Sequence, residues 1–210
     1  MRKILWILLF FIGQNVFSQE YHFDYMSTYE YRQHENDTLS QKIITLGNSA
    51  TEDYVLRILI KNNKIWYESI IDFVKKEDFQ IHNINEKLEV DNSLVVDKGK
   101  ALEIIDCENY TNKYNVEYVT INGVKVIKIT RYKNKKKKKV INECIIYTKP
   151  TNVTKNQHFS FPRLIFPLRC AKFKLENEDL FSEVNFIEDN KELHFYKLID
   201  FKTIDFKIKI

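Results

Sequence analysis

Tyr114-Asn-Val-Glu-Tyr-Val-Thr-Ile121, Asn122-Gly123 and Val124-Lys-Val-Ile-Lys-Ile-Thr-Arg131 form the stretch that decides the fold. After a lysine-crowded tip the chain resumes with Val140-Ile-Asn-Glu-Cys-Ile-Ile-Tyr147. The three runs are rich in β-branched and aromatic residues, which fit a pleated, half-buried surface. Asn-Gly between alternating runs is a strong hairpin signal, because both central residues of a type I′ turn need positive φ. The stretch therefore predicts three antiparallel strands joined by two hairpins.

The same grammar extends in both directions. Residues 54–61 and 64–73 flank Asn62-Asn63, a second tight-turn pair, since Asn tolerates positive φ. Residues 39–46 and 79–84 are shorter runs. Residues 86–106 mix Leu88/Val90, Leu94/Val95/Val96 and Leu102/Ile104/Ile105 with turn residues; a short helix is an alternative there, but the β-branched content argues for strands. Near the start, Tyr21, Phe23, Tyr25, Tyr29 and Tyr31 share one parity, which predicts a strand with one packed face. An aromatic sugar-binding platform is the functional reading of those rings, and ordinary core packing the simpler one.

Towards the end, residues 171–175, 181–187, 193–201 and 203–210 read as further strands. In the last, Ile204, Phe206, Ile208 and Ile210 alternate with Asp205, Lys207 and Lys209, the pattern of a half-buried antiparallel strand. Pro162 and Pro167 make 161–167 an edge or a connection, since proline cannot donate to a ladder. About ten strands with short turns and no long helical period predict an all-β antiparallel meander, as a curved sheet, half-barrel or sandwich.

The first 18 residues read as a cleaved signal peptide. Arg2 and Lys3 precede the apolar run from Ile4 to Ile12, which is too short to span a bilayer, and Val16 and Ser18 suit a cleavage site before Gln19. The expected product is one β-rich domain, 19–210, exported to the periplasm or beyond. No Cys follows the cut, which argues against a lipid anchor. Asp37-Thr38-Leu39 resembles the short O-glycosylation acceptor of exported Bacteroidetes proteins.

Charge partition narrows the partners. The formal net charge is +4, and loss of Arg2 and Lys3 leaves +2. Lys133, Lys135, Lys136, Lys137, Lys138 and Lys139 supply six positive charges, so the rest of the mature chain carries −4. A mildly acidic body with one basic point disfavours a general nucleic-acid-binding face. With Arg131, the tip is a candidate contact for lipid phosphates or an acidic partner at about 1 kcal/mol per side chain. Its plainer reading is a solvated hairpin end whose like charges oppose edge-to-edge aggregation.

Catalytic and metal chemistry find little support. His22, His34, His82, His158 and His194 contain no pair at metal-ligand spacing within one helix or strand. His22 with Asp24, and His194 with Tyr196, share strand faces and are the nearest thing to half-sites. The sequence holds no Gly-x-Ser-x-Gly, no phosphate loop and no His-Glu-x-x-His. Glu176 to Asp179 and Glu188 to Asn190 are acidic turns without calcium-loop spacing. Cys107, Cys144 and Cys170 match no zinc pattern and allow three disulfide pairings. No cofactor or metal is expected.

Ser160-Phe-Pro-Arg-Leu-Ile-Phe166 resembles the Gly-Leu-Pro-Gly-Leu-Ile-Leu motif that names the GLPGLI family of exported Bacteroidetes proteins. Pro162, Leu164 and Ile165 match; Ser160 and Arg163 stand where that motif has glycine. Tyr147-Thr148 is compatible with the Tyr-Thr that precedes it there. The resemblance implies an exported β-rich protein and no particular activity. The plan is also similar to the curved half-barrels of periplasmic lipoprotein carriers, an analogy of architecture. Together these readings predict a non-enzymatic envelope domain that binds an apolar ligand or a protein partner. The alternatives are a hydrolase with a dispersed site and a small outer-membrane barrel.

Overall fold

The computed structural model describes residues 19–33, 41–85, 87–102, 113–134, 136–150, 179–188 and 191–210. The leader, Asp37-Thr38-Leu39, Cys107, Cys170, the strand expected at 171–175 and the segment carrying Pro162 lie outside them, as do His34, His158 and Lys135.

Twelve strands form an antiparallel sheet, with no helix among the described residues. They are β1 (Glu20–Arg32), β2 (Gln41–Asn48), β3 (Thr51–Lys61), β4 (Lys64–Asp72), β5 (Glu77–Ile84), β6 (Val90–Val96), β7 (Lys100–Ala101), β8 (Tyr114–Ile121), β9 (Val124–Tyr132), β10 (Val140–Pro150), β11 (Asp179–Glu188) and β12 (Lys191–Lys209). Their order is β6-β5-β4-β3-β2-β1-β12-β11-β10-β9-β8, with the short β7 also paired to β5. The first and last strands thus pair at the middle of the sheet, and β6 and β8 stand at its two ends. The described strands make a sheet that is not closed into a barrel.

The predicted turns form for the predicted reason. Asn62 and Asn63 have φ of 53° and 57°, and Asn122 and Gly123 have 51° and 79°. Both hairpins carry left-handed residues at both central positions, matching the twist of the flanking strands.

Residues 193–201 and 203–210, read as separate runs, belong to one 19-residue strand, β12. It pairs with β1 from Glu20↔Lys209 to Arg32↔Phe195, with register shifts between Phe23↔Phe206 and Tyr25↔Thr203 and between Thr28↔Asp200 and Tyr29↔Leu198. At each shift one extra residue on β12 is absorbed as a bulge, which resets the parity of β12 without ending the strand.

The structure also corrects the expectation of a single packed face on β1. Tyr21, Phe23, Tyr25 and Tyr29 are all buried, but so are Met26, Ser27 and Thr28 between them. Directly paired residues share a face. Met26↔Leu46, Leu46↔Leu56, Leu56↔Ile70 and Ile70↔Phe79 make one apolar row across β1 to β5. Tyr31↔Tyr196, Tyr196↔Val184, Val184↔Ile146 and Ile146↔Ile127 make another, across β1 and β12 to β9. Met26 and Tyr31 have opposite parity, so these rows lie on opposite faces. Each belongs to its own apolar cluster, one built around Ile127, Ile129, Ile146, Val184 and Phe186, the other around Leu46, Leu56, Ile58 and Ile70. Burying each such side chain contributes about 1.5–3 kcal/mol. A central strand shared by two cores is covered on both faces, which is why the middle of β1, Ser27 and Thr28 included, is buried throughout.

Candidate ligand-binding face

A polar row crosses β1 to β5 on the face opposite the Met26 row. Ser27↔Thr45, Thr45↔Arg57, Arg57↔Ser69 and Ser69↔Gln80 are direct cross-strand pairs on β1 to β5. They share the parity of Tyr25 and Tyr29. Ser27, Thr45 and Ser69 are buried, the last two to within 1% of complete. Ser27 Oγ donates to the Thr45 carbonyl oxygen at 3.4 Å. Thr45 Oγ1, Arg57 Nε and Ser69 Oγ are buried without a hydrogen-bond partner. Leaving a buried polar atom unsatisfied costs about 1–3 kcal/mol. Such groups are rare in native proteins, and three on adjacent strands in one row are a local concentration of unmet donors.

Arg57 lies over the Tyr67 ring, 5.3 Å from its centroid. Tyr67 in turn donates its hydroxyl to Asp78 Oδ2 at 3.0 Å, and Asp78 Oδ1 is buried without a partner. The Arg57 charge also reaches across the sheet. Burial drives the Tyr196 hydroxyl well above the usual tyrosine range, Tyr31 and Cys144 add to this, and Arg57 opposes it. By register Arg57 lies on the face of Tyr29 and Tyr31, the side on which Tyr196 packs against the Ile146–Val184 cluster. Tyr31 stacks on Tyr196 at 4.9 Å and bonds His194 Nδ1 through its hydroxyl at 2.8 Å.

The sequence singled out other positions, and the structure places them elsewhere. Lys133 and residues 136–139 are exposed on the hairpin between β9 and β10. The hairpin is closed by Lys133 N–H donating to the Lys139 carbonyl at 2.8 Å. Arg131 is set apart from them: it is half-buried within β9, opposite Asn142, and its Nε is buried. His22 bonds Asp205 at 2.9 Å rather than Asp24, and His82 bonds Asp97 at 3.1 Å. Asp24 instead accepts from the Ser49 amide at 2.8 Å and from the Ser49 hydroxyl, tying β1 to the β2–β3 turn. Neither His22 nor His82 has a nucleophilic side chain bonded to its imidazole. No group of three metal-binding side chains occurs among the described residues.

Cys144 is buried and free, so neither pairing that involves it is formed. Burial holds its thiol well above the usual range, which makes it inert. The remaining pairing, Cys107 with Cys170, lies outside the described residues.

Sequence reading missed the Thr45–Arg57–Ser69 row. The available signal was three polar residues inside apolar runs; only the register brings them into line. The fold and this row define an open antiparallel β-sheet protein with a half-buried arginine on one face. No known family matches the chain, and no curated protein matches it.

Proposed function

We propose that the chain is an exported, non-enzymatic domain of the cell envelope that binds an apolar ligand on the Tyr25–Tyr29 face of its sheet. The observation that carries this reading is the row of buried, unsatisfied donors set among aromatic side chains. Ligand pockets combine mostly apolar walls with a few well-placed polar groups. A purely structural face gains nothing from an unsatisfied guanidinium Nε–H and two orphan hydroxyls. The leader-like first 18 residues support the exported address, and the resemblance of 160–166 to the GLPGLI motif agrees with it.

The test is extraction of the mature chain, residues 19–210, after purification from cell envelopes without detergent. Mass spectrometry is expected to find near-stoichiometric lipid, and the emptied protein should bind a long-chain probe saturably. A protein that carries no lipid and takes up no probe contradicts the reading.

A protein partner is the second reading, favoured by β8. It forms one end of the strand order, and Tyr118, Val119 and Ile121 on it, with Val124 across the turn, are 39–56% exposed. An exposed apolar end strand is suited to pairing with an added strand.

A further inference from the structure

We propose that Thr45, Arg57 and Ser69 form a head-group subsite for a long-chain carboxylate. This rests on the apolar-ligand reading above and adds the chemistry of the ligand's polar end.

The three residues are consecutive in cross-strand register, Thr45↔Arg57 on β2–β3 and Arg57↔Ser69 on β3–β4. Neighbouring strands lie about 4.8 Å apart. The two hydroxyl residues therefore stand on either side of Arg57 in the row. Thr45 Oγ1, Arg57 Nε and Ser69 Oγ are all able to donate, and none is satisfied. Among the described residues Arg57 has no carboxylate within ion-pair distance, and its guanidinium lies over the Tyr67 ring. An arginine fork held in that way matches a carboxylate.

Charge favours a singly charged anion over a dianion. Arg57 is the cation of the row, and Asp78 lies on the same face, paired with Ile71 and bonded by Tyr67. Any anion meets Asp78 as a like charge, and that repulsion is smaller for a carboxylate than for a dianionic phosphate. The surroundings of the row are apolar, with Tyr25, Val55 and Ile71 buried on the same face beside it.

Equilibrium binding to the delipidated mature chain tests this with three probes below their micelle concentrations: oleate, oleyl alcohol and dodecyl phosphate. The wild type is expected to bind oleate about 10- to 100-fold more tightly than oleyl alcohol, the span expected for charge-assisted hydrogen bonds. Arg57→Met should erase that difference while leaving alcohol binding intact. Thr45→Val with Ser69→Ala should reduce it in part. Without ligand, Arg57→Met should melt at or above the wild-type temperature, because it removes an unpaired charge; a merely structural arginine would lower it.

Equal binding of oleate and alcohol by the wild type overturns the subsite and leaves the apolar-ligand reading standing. Binding of neither overturns both. An oleate preference that survives Arg57→Met places the anion elsewhere, and tighter binding of dodecyl phosphate than oleate refutes the carboxylate. Should Arg57→Met fail to fold, the proposal is contradicted on stability, and the Thr45→Val/Ser69→Ala pair still reads the preference.

Discussion

Met26 and Tyr29 stand three residues apart on β1 and feed cores on opposite faces of the sheet. Met26 pairs with Leu46 and packs in the cluster of Leu56 and Ile70; Tyr29 pairs with Leu198 and packs with Val184 and Phe181. Tyr29 also donates its hydroxyl to the Phe181 carbonyl at 3.1 Å. One strand therefore couples the two halves of the molecule through its backbone while its side chains serve them separately.

Met26→Ala is expected to cost about 2–5 kcal/mol and Tyr29→Ala about 3–5 kcal/mol, as buried truncations do. Because the two cavities open on opposite faces, the double variant should be additive to within about 0.5 kcal/mol. Urea unfolding of the four proteins checks this. A coupling well above that value would mean that the clusters share a wall.

Gly47 is required by its partner across the ladder. It pairs with Tyr25, and a Cβ there would run into the Tyr25 ring, with Cε1 only 2.8 Å away. Gly47→Ala should destabilise by about 1–3 kcal/mol through overpacking. Tyr25→Ala in the same chain should recover most of the part due to the clash, which thermal melting of the two single variants and the double one resolves.

Glu68 sets a pH dependence. It is buried on the second cluster's face, where desolvation raises its pKa above the usual 4.5 despite the Ile84 N–H it accepts at 3.2 Å. A carboxyl whose folded pKa is raised contributes most when protonated. Its stabilisation is full below the unfolded pKa and is lost as pH rises through the folded one. Glu68→Gln, which keeps the acceptor oxygen, should stabilise the protein at pH 7 and flatten the fall in stability above about pH 4.5. Melting temperature against pH for both proteins gives the comparison. A steeper fall in the variant would contradict the assignment.

The lysine hairpin should act as an electrostatic foot. Replacing Lys133 and residues 135–139 with Gln is expected to abolish sedimentation with anionic phosphatidylglycerol vesicles while leaving oleate binding unchanged. At about 1 kcal/mol per lysine near such a surface, the wild-type interaction should also weaken sharply with added salt. Arg131→Gln should have a smaller effect, since its side chain is half-buried in β9. Equal vesicle binding by the Gln variant would leave the tip as a solvated hairpin end.

The fold was legible where its causes are local. Asn62-Asn63 and Asn122-Gly123 predicted their hairpins because positive φ is a property of those residues. The aromatic parity of β1 predicted burial correctly. What it could not reveal was the second core behind Met26, since apolar residues on both parities of a strand do not say which neighbours they meet. The continuity of β12 was hidden for a related reason: a bulge resets alternation just as a turn does. The polar row was the least legible feature. Thr45, Arg57 and Ser69 are each unremarkable in sequence and acquire meaning only when register sets them side by side. Conversely, the lysine tip was conspicuous in sequence because charge composition needs no tertiary structure to be read.

The central claim is the proposal that the Arg57 guanidinium takes an anion on the Tyr25–Tyr29 face. Nitrogen-15 correlation spectra of the Arg57 side chain, assigned by loss of the peak in Arg57→Met, read this directly. Titration with oleate should move the Nε–H resonance saturably downfield as it gains an acceptor, while oleyl alcohol leaves it in place. An Nε–H resonance unmoved by saturating oleate, in a protein that binds the probe, would contradict the account.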